Sequence, residues 1–174
     1  MNAPDPNGPE FSRIIDIRSV DGRELKLAAS LDECAALAER FELVRVDRLE
    51  AVLTLAREGS NVAAQGRLTA SIVQSCAISG EDLPTAINEP LAFRFVPEAA
   101  HHPNEELEIT AEDCDEIPFS GTSFDLGEAV AQSLALAIDP FAVGPEAEAV
   151  RDSGLLGEEK ENPFAALAAL KKKD

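Results

Sequence analysis

Hydrophobic and polar residues alternate over long stretches of this chain, and that alternation predicts antiparallel strands with one buried face. In the longest stretch the apolar positions change parity near Asp47 and Arg48, as a β-bulge would cause. Another runs through Gly66 with one fully polar side. We predict strands at residues 11–20, 24–28, 43–57, 62–72, 84–96 and 107–110.

Two other segments repeat their apolar residues every three or four positions, which predicts amphipathic helices. Ser30 and Glu33 have the spacing of a capping box before a helix that runs to about Phe41. Asp125 and Glu128 have the same spacing and are predicted to be the cap and the capping partner of a second helix, which ends at residues 139–140. Strands that follow one another through short turns, with helices between groups, predict an α+β fold. We expect a mainly antiparallel sheet with two packed helices.

The last thirteen residues predict a further, short helix. Their apolar residues recur every three positions, and Lys171–Lys173 oppose the negative end of the helix dipole. A helix of this length is marginal alone in water, so its apolar stripe needs a surface, either this domain or another molecule. The predicted docking residues are the N-cap Asn162, Pro163 at the first helical position, and the stripe Phe164, Leu167 and Leu170.

Composition divides the chain into four parts. Residues 1–10 are rich in Pro, Asn and Asp and are predicted to be disordered. Residues 11–141 hold the α+β domain. Residues 142–161 lack periodicity and are predicted to be a flexible acidic linker, and residues 162–174 are the docking helix.

Charge is distributed unevenly. The formal net charge is −18, and no Lys or Arg occurs between Arg94 and Arg151. Such a surface repels phosphate backbones and attracts basic partners such as ribosomal proteins. The alternative is a surface that serves only solubility.

Cysteine usage indicates a reducing compartment, and hydropathy indicates a soluble protein. Cys34, Cys76 and Cys114 are an odd number at wide spacing, which indicates free thiols and no disulfide framework. We find no apolar leader and no stretch of transmembrane length. We therefore expect a soluble, cytoplasmic protein.

Residues suited to catalysis or metal binding are sparse. His101-His102 is predicted to lie in an exposed loop, and the acidic run at residues 112–116 lacks the alternate spacing of a calcium loop. Cys76 and Ser79 have the frame of a Cys-x-x-Cys knuckle with the second sulfur replaced, so we predict that Cys76 packs where its strand ends in a turn. We predict no catalytic residue, no metal, no cofactor and no enzymatic activity.

Several arginines fall on or beside predicted strands. If the polar face of the sheet gathers them, a local basic stripe coexists with the acidic remainder. The alternative is ordinary solvent-facing strand positions. The candidate RNA contacts are Arg45, Arg48, Arg67 and Arg94.

Three stretches together resemble the YceD family of large ribosomal RNA subunit accumulation proteins: residues 66–76, the helix of residues 124–140, and the terminal residues 162–171. The resemblance implies a non-enzymatic bacterial factor that supports normal levels of 23S ribosomal RNA. The family frequently carries Cys-x-x-Cys pairs, of which this chain keeps only Cys76.

Three hypotheses follow from these observations. The first is a biogenesis factor for the large ribosomal subunit that binds a basic ribosomal protein or an assembly intermediate through its acidic part and its terminal helix. The second is direct binding of 23S rRNA or its precursor through an arginine stripe. The third, a small hydrolase or metal-dependent enzyme, lacks a positioned base and nucleophile.

Overall fold

The structure is a computed structural model that describes residues 9–20, 22–98 and 116–153. It confirms the α+β fold, with a mainly antiparallel sheet and two packed helices. A 3-10 helix, Ile17–Ser19, follows the first strand. The strands are β1 Ile14–Asp16, β2 Arg23–Ala28, β3 Arg45–Glu58, β4 Asn61–Ser75, β5 Asp82–Pro97, β6 Glu116–Phe119 and β7 Ser123–Asp125, and the helices are α1 Leu31–Arg40, α2 Leu126–Ala137 and α3 Ala147–Asp152.

Five strands form the main sheet in the order β2-β3-β4-β5-β6. Its first four strands are antiparallel neighbours in sequence order, and β6 pairs parallel to the end of β5. The register shifts between Val46 and Arg48, which confirms the predicted bulge. A separate antiparallel pair joins β1 to β7. The predicted strand at residues 107–110 lies outside the described residues.

The core lies on one side of the main sheet, where α1 packs on β3 and α2 packs on β4 and β5. Leu53 and Leu68 of the sheet and Leu37 and Leu134 of the helices are fully buried there. Phe95 stacks on Phe124 with ring centroids 4.1 Å apart, which ties the sheet to the β1–β7 pair. The other side of the sheet carries alternating polar residues.

The capping box of α1 is confirmed. Ser30 Oγ accepts the Glu33 N–H at 3.2 Å, and Glu33 Oε2 accepts the Ser30 N–H at 2.8 Å. At α2, Asp125 Oδ1 accepts the Glu128 N–H at 3.1 Å, as predicted for a cap. The Glu128 carboxylate accepts hydrogen bonds from Arg40 of α1 and from Gln132. Glu128 therefore links the two helices.

The first predicted strand, residues 11–20, is shorter in the structure at both ends. Extended pairing covers only Ile14–Asp16, and a 3-10 helix follows. Asp16 Oδ1 accepts the Arg18 N–H at 2.8 Å, so its side chain caps that turn. Because the short Asp16 side chain accepts this backbone N–H, the chain turns after Asp16 and does not continue the strand.

Residues 142–153 also differ from the predicted flexible linker. They contain α3, and Ala147 on this helix is only 1% exposed. The Ala77 N–H donates to the Ala142 carbonyl at 2.9 Å, and the Glu146 N–H donates to Glu81 Oε1 at 2.8 Å. These contacts fasten the segment to the β4–β5 turn, a long-range pairing that composition does not signal. The remaining linker residues, 154–161, lie outside the described residues.

Candidate functional site

The four candidate arginines all project from the solvent-facing side of the main sheet. Along β3 and β4 they alternate with buried residues such as Leu49 and Leu68, and the register carries the same alternation into β5. The four arginines therefore share one face of the sheet, and their role as RNA contacts stays a prediction. On β3 these residues are Arg45 and Arg48, on β4 Arg67, and on β5 Arg94.

These arginines share a face without forming a tight cluster. Arg48 lies opposite Ser71, whereas Arg67 lies opposite Val52. Arg67 and Ser71 are four residues apart on β4, so Arg67 and Arg48 lie roughly 13 Å apart along the strand direction. The guanidinium groups therefore line the sheet as separate cations.

Carboxylates accompany three of the four arginines. Arg45 Nε lies 2.8 Å from Asp47 Oδ1, and Arg48 Nη1 lies 3.6 Å from Glu50 Oε2. On β5, Arg94 Nε lies 3.4 Å from a Glu116 oxygen. A phosphate that approaches any of these arginines meets a neighbouring negative charge, which weakens the attraction.

Arg67 differs from the other three. Its Nη1 donates to Asn88 Oδ1 on β5 at 2.9 Å, so the partner that orients it is neutral. The guanidinium keeps its full positive charge in the middle of the sheet. Of the four candidates, Arg67 has the environment best suited to a phosphate or a carboxylate from another molecule.

An acidic end of the body forms where the β4–β5 turn meets α3. Glu81 Oε1 accepts the Glu146 N–H at 2.8 Å, which brings the two elements into contact. Asp82 and Glu148 stand next to these positions and are exposed. We refer to Glu81, Asp82, Glu146 and Glu148 as the acidic end.

Cys76 lies within the same turn, directly after β4, and is only 4% exposed. This agrees with the prediction of a packed thiol at a strand end. Its sulfur accepts N–H groups from Gly144 at 3.3 Å, Ser79 at 3.4 Å and Ile78 at 3.5 Å. The Gly144 N–H first, then the Ser79 side chain and the other N–H donors, stabilise the thiolate and lower the pKa of the Cys76 thiol to about 6. Burial instead raises the pKa of the Cys34 thiol.

The neighbouring side chains complete the turn without adding metal ligands. Ser79 Oγ donates to Glu81 Oε1 at 3.2 Å. Within the described ranges, no group of three or more His, Cys, Asp and Glu residues is arranged to hold a metal ion. His101, His102 and Cys114 lie outside those ranges.

The predicted docking helix also lies outside the described residues. Asn162, Pro163, Phe164, Leu167 and Leu170 all follow Ser153, where the description ends. Their role as docking residues stays a prediction. None of the helices in the described part of the chain has the length and apolar character needed to cross a bilayer.

The described residues define an α+β protein whose sheet has one charged face and whose body has an acidic end. The model of one protein family, described as large ribosomal RNA subunit accumulation protein YceD, matches residues 64–171, more than half of the chain. The chain therefore belongs to the YceD family, and all three stretches that carried the resemblance fall within the match. The family name describes a role in accumulation of the large ribosomal subunit RNA. Comparisons with curated proteins and with solved structures gave no match.

Proposed function

We propose that this protein supports accumulation of 23S rRNA during large-subunit biogenesis by binding a basic ribosomal protein or assembly intermediate. The single observation that carries this proposal is the absence of any Lys or Arg between Arg94 and Arg151, a span with thirteen carboxylates. Such a field attracts a cationic partner over several ångströms and raises its rate of encounter. The protein acts without catalysis, in the bacterial cytoplasm.

Two elements would share the contact. The acidic end supplies the exposed carboxylates Asp82, Glu146 and Glu148 on a folded support. The terminal residues Phe164, Leu167 and Leu170 supply an apolar stripe on the same chain. Two linked contacts give an avidity that neither gives alone.

The test is affinity capture of tagged protein from cells, with nuclease treatment before elution. We expect a basic large-subunit protein to remain bound after nuclease, and a variant that ends at Glu161 to retain less of it. The double reversal Glu146→Lys and Glu148→Lys should reduce capture at least tenfold. A matched control, Glu39→Lys with Glu58→Lys, makes the same charge change at exposed positions elsewhere. Equal capture by both double variants would contradict the proposal.

Direct binding of rRNA is the second candidate, and the shared face of the four arginines favours it. The contribution of Arg67 would be the largest because its partner, Asn88, is neutral. Affinity for a 23S rRNA fragment should fall steeply with salt, and Arg67→Glu should weaken it more than Arg45→Glu. Salt-insensitive binding, or an equal effect of the two reversals, would argue against this candidate.

A further inference from the structure

A shallow groove of about 450 Å³ runs between β5 and the last turns of α2. Leu136 at its wall is 89% exposed, an unusual position for a leucine on a helix that is otherwise packed on the sheet. Ala137 adds further apolar surface, whereas Leu91 in the lining is only 5% exposed. The residues that line the groove are Glu89, Pro90, Leu91, Ser133, Leu136 and Ala137.

The one charged residue that lines this groove is Glu89, and the last turn of α2 contains no Lys or Arg. The carbonyl groups at this helix end therefore present the negative pole of the helix dipole without a nearby cation from the helix itself. A ligand that combines apolar side chains with positive charge fits such a groove.

The adjoining edge of β5 favours a helical ligand over an added strand. Among the described residues, β6 pairs with β5 only from Arg94 onward, so the edge beside the groove has no strand neighbour. Pro84 and Pro90 lie on this edge, and proline has no N–H to donate to an incoming strand. An amphipathic helix that lays its apolar side chains into the groove avoids this problem.

We propose that this groove binds the C-terminal segment of the same chain, residues 162–174, when no other partner is present. Phe164, Leu167 and Leu170 supply an apolar stripe, and Lys171–Lys173 supply the charge that Glu89 and the α2 terminus attract. The apolar stripe suits Leu136 and Ala137, and the lysines suit the negative Glu89.

The chain is long enough to reach. Phe164 lies eleven positions after Ser153, a distance that spans roughly 36 Å when the chain is extended. Glu146, seven residues before Ser153, contacts Glu81. Glu89 lies eight residues after Glu81 along β5, roughly 26 Å in extended strand geometry. A tether of this length holds the segment at about millimolar effective concentration, so a weak contact suffices.

Residues 99–115 are the competing occupant within the chain, and their charge disfavours them. They contain six carboxylates and no Lys or Arg, so they would bring negative charge to a negative groove. The proposal goes beyond the proposed function because it concerns the isolated protein. A cellular partner would then compete with the groove for the same terminal residues.

The direct test titrates a labelled synthetic peptide of residues 162–174 into protein that ends at Glu161, followed by fluorescence anisotropy. The truncated chain keeps every described residue. We expect saturable binding that Leu136→Glu weakens at least tenfold, and that a peptide with Leu167→Ala weakens similarly. The control is Val52→Glu, which places the same charge at an exposed apolar position on the opposite side of the sheet. Absence of binding, or equal losses from Leu136→Glu and Val52→Glu, would overturn the proposal.

Hydrogen exchange on the intact chain provides the second measurement. The end of α2 and residues 88–92 should exchange more slowly in the intact chain than in the truncated one, and Leu136→Glu should remove the difference. Protection that grows with protein concentration would assign the groove to a second copy. Protection that persists in the truncated chain would assign it to residues 99–115, and either result would refute intramolecular docking. Failure of cellular capture would refute the proposed function and leave these two measurements unaffected.

Discussion

Arg40 Nη2 donates to Glu128 Oε1 at 2.7 Å, which joins the last turn of α1 to the first turn of α2. The same guanidinium donates through Nη1 to Glu10 at 2.8 Å. Arg40 thus connects the N-terminal segment and both packed helices, three parts of the chain that no short-range sequence pattern relates.

Replacement of this arginine should destabilise the domain. Arg40→Leu removes hydrogen bonds to two carboxylates that are each about one-third exposed or less. We expect a loss of about 1–3 kcal/mol, allowing for solvent screening of the pair. Urea denaturation followed by circular dichroism measures it. Arg45→Leu is the control, because its partner Asp47 is two residues away and half-exposed, and it should change the midpoint little.

Stability should fall in acid through two glutamates. Hydrogen bonds from Arg40 lower the pKa of Glu128, and those from Arg13 lower the pKa of Glu33. The folded state therefore releases these protons more readily than the unfolded state, whose glutamates titrate near 4.5. The stabilisation is complete above that value and is lost as pH drops through the lowered pKa values. The double variant Glu33→Gln, Glu128→Gln should show a flatter pH profile below pH ~5 in the same urea assay. An unchanged acid slope would count against this assignment.

Gly66 is the position in β4 least able to accept a side chain. A Cβ there would lie 1.9 Å from the Val52 carbonyl oxygen of the adjacent strand, a backbone atom that has little freedom to move. We expect Gly66→Ala to cost about 3 kcal/mol or more in the free energy of unfolding. Gly59→Ala is the comparison: nothing lies within 4 Å of its Cβ, and the strain comes only from its φ of +68°. That change should cost about 1–2 kcal/mol, so a similar loss from both would refute the close approach.

The Cys76 thiol should titrate near pH 6. Ultraviolet absorbance of the thiolate, measured in a Cys114→Ser background, should rise around a pKa of about 6, and Cys76→Ala should abolish that step. Because the pKa is lowered from 9.0, the contribution of Cys76 to stability is present above that value and is lost as pH falls through about 6. A first titration step near 9 would show that the three N–H donors do not stabilise the thiolate.

Local chemistry made much of the fold predictable. The Ser30–Glu33 box and the Asp125 cap each depend on residues three positions apart, so their geometry follows from the backbone of one helical turn. The bulge near Asp47 was evident because one extra residue reverses the parity of every later apolar position. Alternation left open whether one face gathers the four candidate arginines, and the register between strands shows that they share it.

Contacts between distant segments were not predictable in this way. Ile14 pairs with Asp125 across more than a hundred residues, and neither β1 nor β7 is long enough to show alternation. Residues 142–153 are attached to the β4–β5 turn through single backbone groups, such as the Gly144 N–H that donates to the Cys76 sulfur. The partners of Arg67 and Arg94 also depend on the register between strands, which only the structure gives.

The parallel pairing of β6 with the end of β5 constrains how this part of the chain can vary in evolution. Arg94 pairs with Glu116 and Pro97 with Phe119, so the chain must travel back along β5 before it can begin β6 in the same direction. A tight hairpin cannot make that return, which takes a crossover of about a dozen residues or more. A deletion that leaves only a few residues of this connection must therefore lose the pairing of β5 with β6, which is the only parallel pair among the described strands.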